Sequence, residues 1–514
     1  MGDAAGVVAP PEQYNFAADV LARNVSRASK VAFIDDDTSM TFGDLDDRVR
    51  KLASSLGGLG IRREDRVLLL MHDSVDWPVA FLGALFAGVV PVAVNTLLTA
   101  DDYAYMLQHS QCRAAIVSAA LAPVLREAMS LQANDIETVI VAGAGADDGH
   151  GLDALLAAHD ARVEAEQTRA DDMAFWLYSS GSTGRPKGTV HAQASLYWTA
   201  ELYGKAVLGL SEADICFSAA KLFFAYGLGN SLTFPLSVGA TAVLMAGRPT
   251  PEAVFDKWSA HKPTVFFGAP TGYAGMLASA SLPDPSDVTL RMCSSAGEAL
   301  PEELGLRFKA HFGIDVYDGI GSTEMLHIFL SNAPDKIRYG TTGWPVAGYD
   351  IEIRGEDGQV VAPGEVGELF IRGASAALMY WGNRAKSREV FQGHWTKSGD
   401  QYVQNDDGSY TYVGRSDDMF KVSGMYVSPF EVEGALLVHP AVLESAVVGL
   451  PDQDGLIKSK AFVVLKEGVE ASQGELQAFV KERLAPYKYP RSIEFVSDLP
   501  KTATGKIMRF KLRQ

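Results

Sequence analysis

The chain has 514 residues, 47% of them hydrophobic and 21% charged, with a formal net charge of −18. That length exceeds one compact domain and predicts two or three. The acidic balance excludes nucleic acid as a partner, which needs a basic face, so any anion site is built locally from a few Lys, Arg and backbone donors.

From the start of the chain, MGDAAGVVAPPEQYNF lacks the basic and apolar regions of a signal peptide and misses the myristoylation pattern because position 6 is Gly. A cytoplasmic location without membrane attachment is expected. Apolar runs at 67–71, 114–117, 138–141, 241–245 and 265–268 alternate with helical patterns, which predicts α/β layers with largely parallel sheets. Residues 77–98 carry no charge over a length that could span a bilayer, but Pro78 and Pro91 punctuate them. They divide into a buried helix over 79–87 and a strand over 89–94. Residues 222–247 are likewise uncharged, and their glycines, Pro235 and hydroxyls mark them as core. Cys112, Cys216 and Cys293 are far apart, odd in number and without metal-ligand spacing, which fits a reducing compartment.

The segment YSSGSTGRPKGTVH (178–191) reads as a loop for phosphate. Apolar residues 174–178 suit a buried strand, and Val190, Ala194, Trp198 and Leu202 recur at helical spacing after it. Strand, loop and helix in that order aim backbone N–H groups at an anion. Ser179, Ser180, Ser182 and Thr183 add hydroxyls, Gly181, Gly184 and Gly188 permit close approach, and Arg185 and Lys187 bring charge. The spacing is not that of a Walker A loop.

From residue 351 the texture changes to hairpins, with turns at Asp357-Gly358 and Asp407-Gly408. The polar stretch GRSDDMFKVSG (414–424) follows, where a linker would sit. In the last hundred residues two strand patterns, a capping box at Ser472 and Glu475, a further strand and a basic tail predict a small α+β unit.

Five further segments define a resemblance. With 178–191, the segments SSAGEALP (294–301), YDGIGSTE (317–324), KSGD (397–400), GRSDDMFKVSG (414–424) and PKTATGKIMR (500–509) match in order and spacing the adenylate-forming superfamily of acyl- and aryl-CoA synthetases, adenylation domains and luciferases. The resemblance covers essentially the whole chain. It implies an α/β fold: a large N-terminal body of layered α/β subdomains plus small β-barrel-like hairpins over 1–416, and a small mobile α+β domain over 417–514, hinged near Asp417.

The resemblance further implies a role for each segment. Ser179, Ser180, Gly181, Ser182, Thr183, Gly184 and Lys187 would hold the phosphates of ATP and then diphosphate. Thr323 would donate a hydroxyl to phosphate, and Glu324 would offer a hard oxygen to Mg²⁺. Gly297, Glu298, Asp318 and Gly319 would line the adenine site, where Ile320 departs from the commoner aromatic. Asp400 would accept from the ribose hydroxyls, and Arg415 would reach ribose and phosphate. Lys506 would bring an ammonium to the α-phosphorus as the carboxylate attacks. Rotation about Asp417 would then exchange Lys506 for Lys421 and Gly424, with Gly424 near the pantetheine of CoA. No residue stands out as a general base for the thiol.

The resemblance implies that KLFFAYGLGN (221–230) and TEMLHIFLSN (323–332) occupy the places that shape the acid pocket in the family. Amino-acid-activating relatives carry an Asp in the first segment, and this chain has Phe223, Phe224, Ala225 and Tyr226 instead. With Gly321, His327 and Ile328 they suit a flat apolar ring; His327 either hydrogen-bonds the acid or fills core. The pattern resembles the bacterial benzoate–CoA ligases and implies benzoate, ATP and CoA as substrates. Another small acid (hydroxybenzoate, anthranilate, or a short- or medium-chain acid), delivery of an aryl group to a carrier protein, and an inactive nucleotide sensor are the alternatives. The resemblance is also compatible with a homodimer and with acetylation of Lys506, which would remove its charge.

Overall fold

The computed structural model describes residues 6–143, 150–181, 184–416, 418–422, 425–452, 457–484, 488–501 and 507–513. Their fold is mixed α/β, with a large N-terminal body and a smaller C-terminal domain. Two sheets dominate the body. In the eight-stranded one, Arg66–Leu70 lies between Val90–Ala93 and Ala114–Ser118, all parallel, and Met173–Gly181 runs parallel to Val90–Ala93. In the nine-stranded one, Ile215–Ser218, Val265–Gly268, Met292–Ser295 and Val316–Gly321 are consecutive parallel neighbours. Sheets with both faces covered are built from near-continuous apolar runs, which is why Val90–Ala93 and Val265–Gly268 are buried throughout.

The uncharged 77–98 stretch is core, as its prolines indicate. Helix Asp76–Phe86 is buried from Trp77 onward, and strand Val90–Ala93 follows it. No described helix is long and apolar enough to cross a membrane. The 222–247 stretch folds into the interior up to Met245, with Ala246 and Gly247 exposed, but through a π-helical turn, Gly229–Thr233, that apolar periodicity does not predict. A second π-helical turn, Ala200–Lys205, extends helix Gln193–Thr199. Such turns are often found at functional sites.

The hairpins form a five-stranded antiparallel sheet among the described residues. Strands Trp395–Gln404 and Tyr410–Arg415 are joined through Gly408, whose φ of +79° a side chain would disfavour. The expected linker is only partly one: strand Tyr410–Arg415 runs into it, and Phe420–Val422 and Met425–Val427 pair as a small hairpin. Beyond lies a three-stranded sheet, Val442–Pro451, Ile457–Leu465 and Ser492–Phe495, packed by helices Pro429–Leu437 and Gln473–Lys481. The capping box at Ser472 and Glu475 is formed.

All three cysteines are free and buried. Burial pushes the Cys112 thiol up to about 12 and raises those of Cys216 and Cys293 as well.

Candidate active site

The phosphate segment departs from the expected strand, loop and helix. Met173–Gly181 turns back as a second strand, Gly184–Ala192, and the helix begins only at Gln193. Thr189, Val190, His191 and Ala192 are buried, and β-branched residues on a half-buried surface favour a strand over the first turn of a helix. The hairpin places Ser179 opposite Lys187 and Gly181 opposite Gly184, so Ser180 lies just short of the tip. Ser182 and Thr183 lie outside the described residues, as do Asp417, Gly424 and Lys506. Ser179 Oγ is buried without a hydrogen-bond partner among the described residues.

Lys187 meets two residues distant in sequence. Its Nζ stands 4.6 Å from the centre of the Tyr380 ring, and Tyr380 Oη donates to Glu324 Oε1 at 2.7 Å. Strand Met379–Tyr380 pairs with Val190 and Thr189 of the hairpin, which fixes that geometry. Burial lowers the Lys187 pKa, against the attraction of Glu324. Burial and the Glu324 charge together raise that of Tyr380. The positive field of Arg415 reaches both Lys187 and Tyr380.

The turn that carries Thr323 and Glu324 is locally strained. Leu326, a buried branched residue, has φ +66°, a conformation that costs energy and is commonest at functional sites. His191 Nε2 donates to the Thr323 carbonyl at 2.7 Å from behind. Its ring stacks on Phe175, and burial drops its pKa to about 4, so it is neutral.

Asp400 and Arg415 are cross-strand neighbours, with Arg415 Nη1 3.3 Å from Asp400 Oδ1. Asp400 is buried while Arg415 is half-exposed. Asp318 and Gly319 lie on strand Val316–Gly321, beside Ser295 of the next strand. Burial holds the Asp318 carboxyl well above the usual range, and its Oδ1 has no partner among the described residues. Gly297 has φ +98° between Met292–Ser295 and helix Glu302–Phe312. Glu298 accepts from Thr271 Oγ1 at 3.2 Å.

The acid segments converge in part. Tyr226 Oη donates to Ser294 Oγ at 3.1 Å, and His327 Nε2 is shared between the Tyr226 carbonyl at 3.3 Å and Asn230 Oδ1 at 3.2 Å. Phe234 meets the His327 ring edge-on, Tyr203 and Tyr226 flank it, and burial drops its pKa to about 3. A Cβ at Gly229 would collide with the imidazole, and one at Gly321 would come within 2.6 Å of the His327 carbonyl. Ile328 is buried opposite Gly321. Ala225 opens the short helix that holds Tyr226. Phe223 instead packs with Leu222 and Leu228 in the N-terminal core. Lys421 is placed by its backbone opposite Tyr426 in the hairpin Phe420–Val427.

Several neighbours escaped sequence reasoning. Tyr380 lies outside recognisable motifs, His191 closes the 178–191 segment without a phosphate-binding side chain to mark it, and Tyr203 and Asn230 sit on the two π-helical turns. The positions of Ser294 within SSAGEALP, of Asn230 at the end of KLFFAYGLGN and of His191 at the end of 178–191 are the signals.

Comparison with known proteins places these features in context. The family profile described as AMP-binding enzyme matches residues 21–381, and that of the AMP-binding enzyme C-terminal domain matches 431–506. A benzoate–CoA ligase of Thauera aromatica is 56% identical over 98% of this chain and 96% of its own. A 4-hydroxybenzoate–CoA/benzoate–CoA ligase of Rhodopseudomonas palustris is 46% identical over 98% and 95%. The crystal structure of a benzoate CoA ligase from Burkholderia xenovorans LB400 superposes with a TM-score of 0.92 at 57% identity, covering 98% of this chain and 100% of that one.

Proposed function

The chain belongs to the AMP-binding enzyme family, and from that footing we propose that it is an acid–thiol ligase converting benzoate, ATP and CoA to benzoyl-CoA, AMP and diphosphate through benzoyl-AMP. The observation that carries the chemistry is the cluster of Lys187, Tyr380 and Glu324 within the field of Arg415. The benzoate assignment rests on the similarity to benzoate–CoA ligases along the whole chain.

In the first step a benzoate oxygen attacks the α-phosphorus, and the bond to diphosphate breaks. Ser179 to Gly184 and Lys187 hold the departing phosphates, Asp400 and Arg415 hold the ribose, and Gly297, Glu298, Asp318 and Gly319 border adenine. Thr323 donates its hydroxyl to phosphate. Glu324 would hold Mg²⁺, whose chemistry is to neutralise phosphate charge. One carboxylate completed by phosphate oxygens and water is a usual set for that ion, and no cluster of three ligating side chains occurs among the described residues. Lys506 supplies an ammonium to the charge that builds on the bridging oxygens.

In the second step the CoA sulfur attacks the acyl carbon and AMP leaves. A thiol of pKa about 8.5 is already a few per cent thiolate near neutrality, so positioning against an activated anhydride suffices. Rotation of the C-terminal domain about Asp417 brings Lys421 and Gly424 to the site in place of Lys506. Tyr226, His327, Ile328, Ala225 and Gly321 shape the acid pocket, while Phe223 packs in the core behind it. A cytoplasmic location, a homodimer and control by acetylation of Lys506 belong to the same reading.

CoA-dependent AMP release tests it, with benzoate, its hydroxy, amino and fluoro derivatives, cyclohexanecarboxylate and hexanoate. Benzoate should lead, with para substituents and alkyl acids poorer. Preference for hydroxybenzoate would favour the second reading, a broader hydroxybenzoate ligase like the Rhodopseudomonas relative.

A further inference from the structure

Asp73 lies in the loop between strand Arg66–Leu70 and helix Asp76–Phe86, only 4% exposed. Both of its carboxylate oxygens stand 3.2 Å from the Leu222 nitrogen, the only donor that reaches them among the described residues. One N–H needs one acceptor, which a neutral Asn would supply. A buried charge with so little hydrogen bonding is expensive, so its use lies elsewhere. Lys221 is the opposing charge beside it, also largely buried and held by the Met245 carbonyl and by the Gly247 carbonyl at 2.7 Å.

Asp73 follows a strand of the eight-stranded sheet and Lys221 one of the nine-stranded sheet, and the position of Lys221 is transmitted to the acid pocket through close contacts. Phe224 N–H donates to the Lys221 carbonyl at 3.0 Å, and helix Ala225–Leu228 lies directly on that carbonyl. A Cβ on Gly227 would collide with it. The helix carries Tyr226, whose hydroxyl reaches Ser294 and whose carbonyl accepts from His327. A shift of Lys221 and Leu222 therefore moves Tyr226 and His327 together.

We propose that Asp73 is a positioning residue for acid recognition: its ionised carboxylate, acting through Leu222 N–H and the Lys221 ammonium, sets the start of the segment that shapes the acid pocket. The inference rests on the assignment of that pocket. Burial pushes the Asp73 pKa up to about 7, with Lys221 drawing it down and Asp36 adding to the rise. The other ionisable groups around it are His72 on the same loop, Asp35 (which accepts from Val75 N–H), and Lys257 and His261 around Asp36. Asp73 accordingly gives up its charge as the pH falls through about 7, while an aryl carboxylate stays ionised.

The test is ATP–diphosphate exchange with benzoate at saturating ATP, across about pH 5.5 to about pH 8.5, for the parent, Asp73→Asn and Lys221→Met. In the parent, the KM for benzoate should rise as the pH falls through about 7. In Asp73→Asn that KM should be about five-fold higher at pH 8 and lose its rise through neutrality, with kcat and the KM for ATP within about two-fold. Lys221→Met should move the rise to higher pH. An unchanged benzoate KM in Asp73→Asn, or an equal loss in kcat and both KM values, would overturn the inference. Should Asp73→Asn not fold, a flat benzoate KM in the parent would do the same. Absence of benzoate turnover by the parent would instead defeat the substrate assignment, before any variant is compared.

Discussion

Tyr380 Oη donates to Glu324 Oε1 across 2.7 Å, joining residues 56 positions apart, and the same ring carries the Lys187 ammonium on its face. The tyrosine thus sets where the carboxylate and the ammonium stand relative to each other. Tyr380→Phe keeps the face and removes the donor. A hydrogen bond to a charged group contributes about 1.5–3 kcal/mol, so adenylation should slow by about tenfold or more, with part of the loss restored by raised Mg²⁺. ATP–diphosphate exchange measured against Mg²⁺ concentration checks this, and a rate equal to the parent's at every concentration would count against the role given to Glu324.

Lys506→Ala should cripple formation of benzoyl-AMP while leaving benzoyl-CoA formation from supplied benzoyl-AMP largely intact. Asp417→Pro, which stiffens the proposed hinge, should do the reverse. Single-turnover assays of the two half-reactions separate these outcomes; equal losses in both would remove the division of labour between the two faces of the C-terminal domain.

Asp400 lies buried opposite Arg415 at 3.3 Å. Asp400→Asn weakens the acceptor offered to a ribose diol and should raise the KM for ATP by about tenfold, or ~1.4 kcal/mol, with the benzoate KM unchanged. Initial rates over both substrates decide it, and a rise confined to benzoate would move Asp400 away from the nucleotide.

His327 is enclosed by Phe234, Tyr203 and Tyr226, so His327→Ala should cost about 3 kcal/mol through the cavity it leaves. Burial drops the histidine to about 3 in the fold, below its ordinary 6.5. The unfolded chain therefore binds the proton more readily, and the stability that the neutral ring contributes above pH 6.5 is lost as the pH falls toward 3. The parent's advantage over His327→Ala should narrow below pH 6.5. Urea midpoints at several pH values measure it; a constant gap would mean that the imidazole is not held neutral.

Features whose cause is local are legible in the amino-acid sequence. Strand Val265–Gly268 follows from an apolar run, and the turn at Gly408 from an Asp-Gly pair between alternating strands. The Ser472 cap follows from a serine three residues before a glutamate. Beyond that range the pattern was silent or misleading. Thr189 to Ala192 read as the approach to a helix because Val190 and Ala194 fit a helical period, yet their pairing with Met173–Leu177 makes them a strand. The contacts of Tyr380 with Glu324 and Lys187, and of Asn230 with His327, depend on chain crossings and π-helical turns that leave no local signature.

The burial of Cys112, Cys216 and Cys293 has a consequence for an enzyme whose acceptor is itself a thiol. Thiol–disulfide exchange needs an accessible thiolate on one partner, and burial raises the pKa of all three cysteines. CoA disulfide and other oxidised low-molecular-weight thiols therefore find no sulfur at the surface of the described fold to capture. The catalyst should stay unmodified through oxidative episodes that convert its own co-substrate to the disulfide and halt thioester formation, and recover full turnover once free CoA is regenerated.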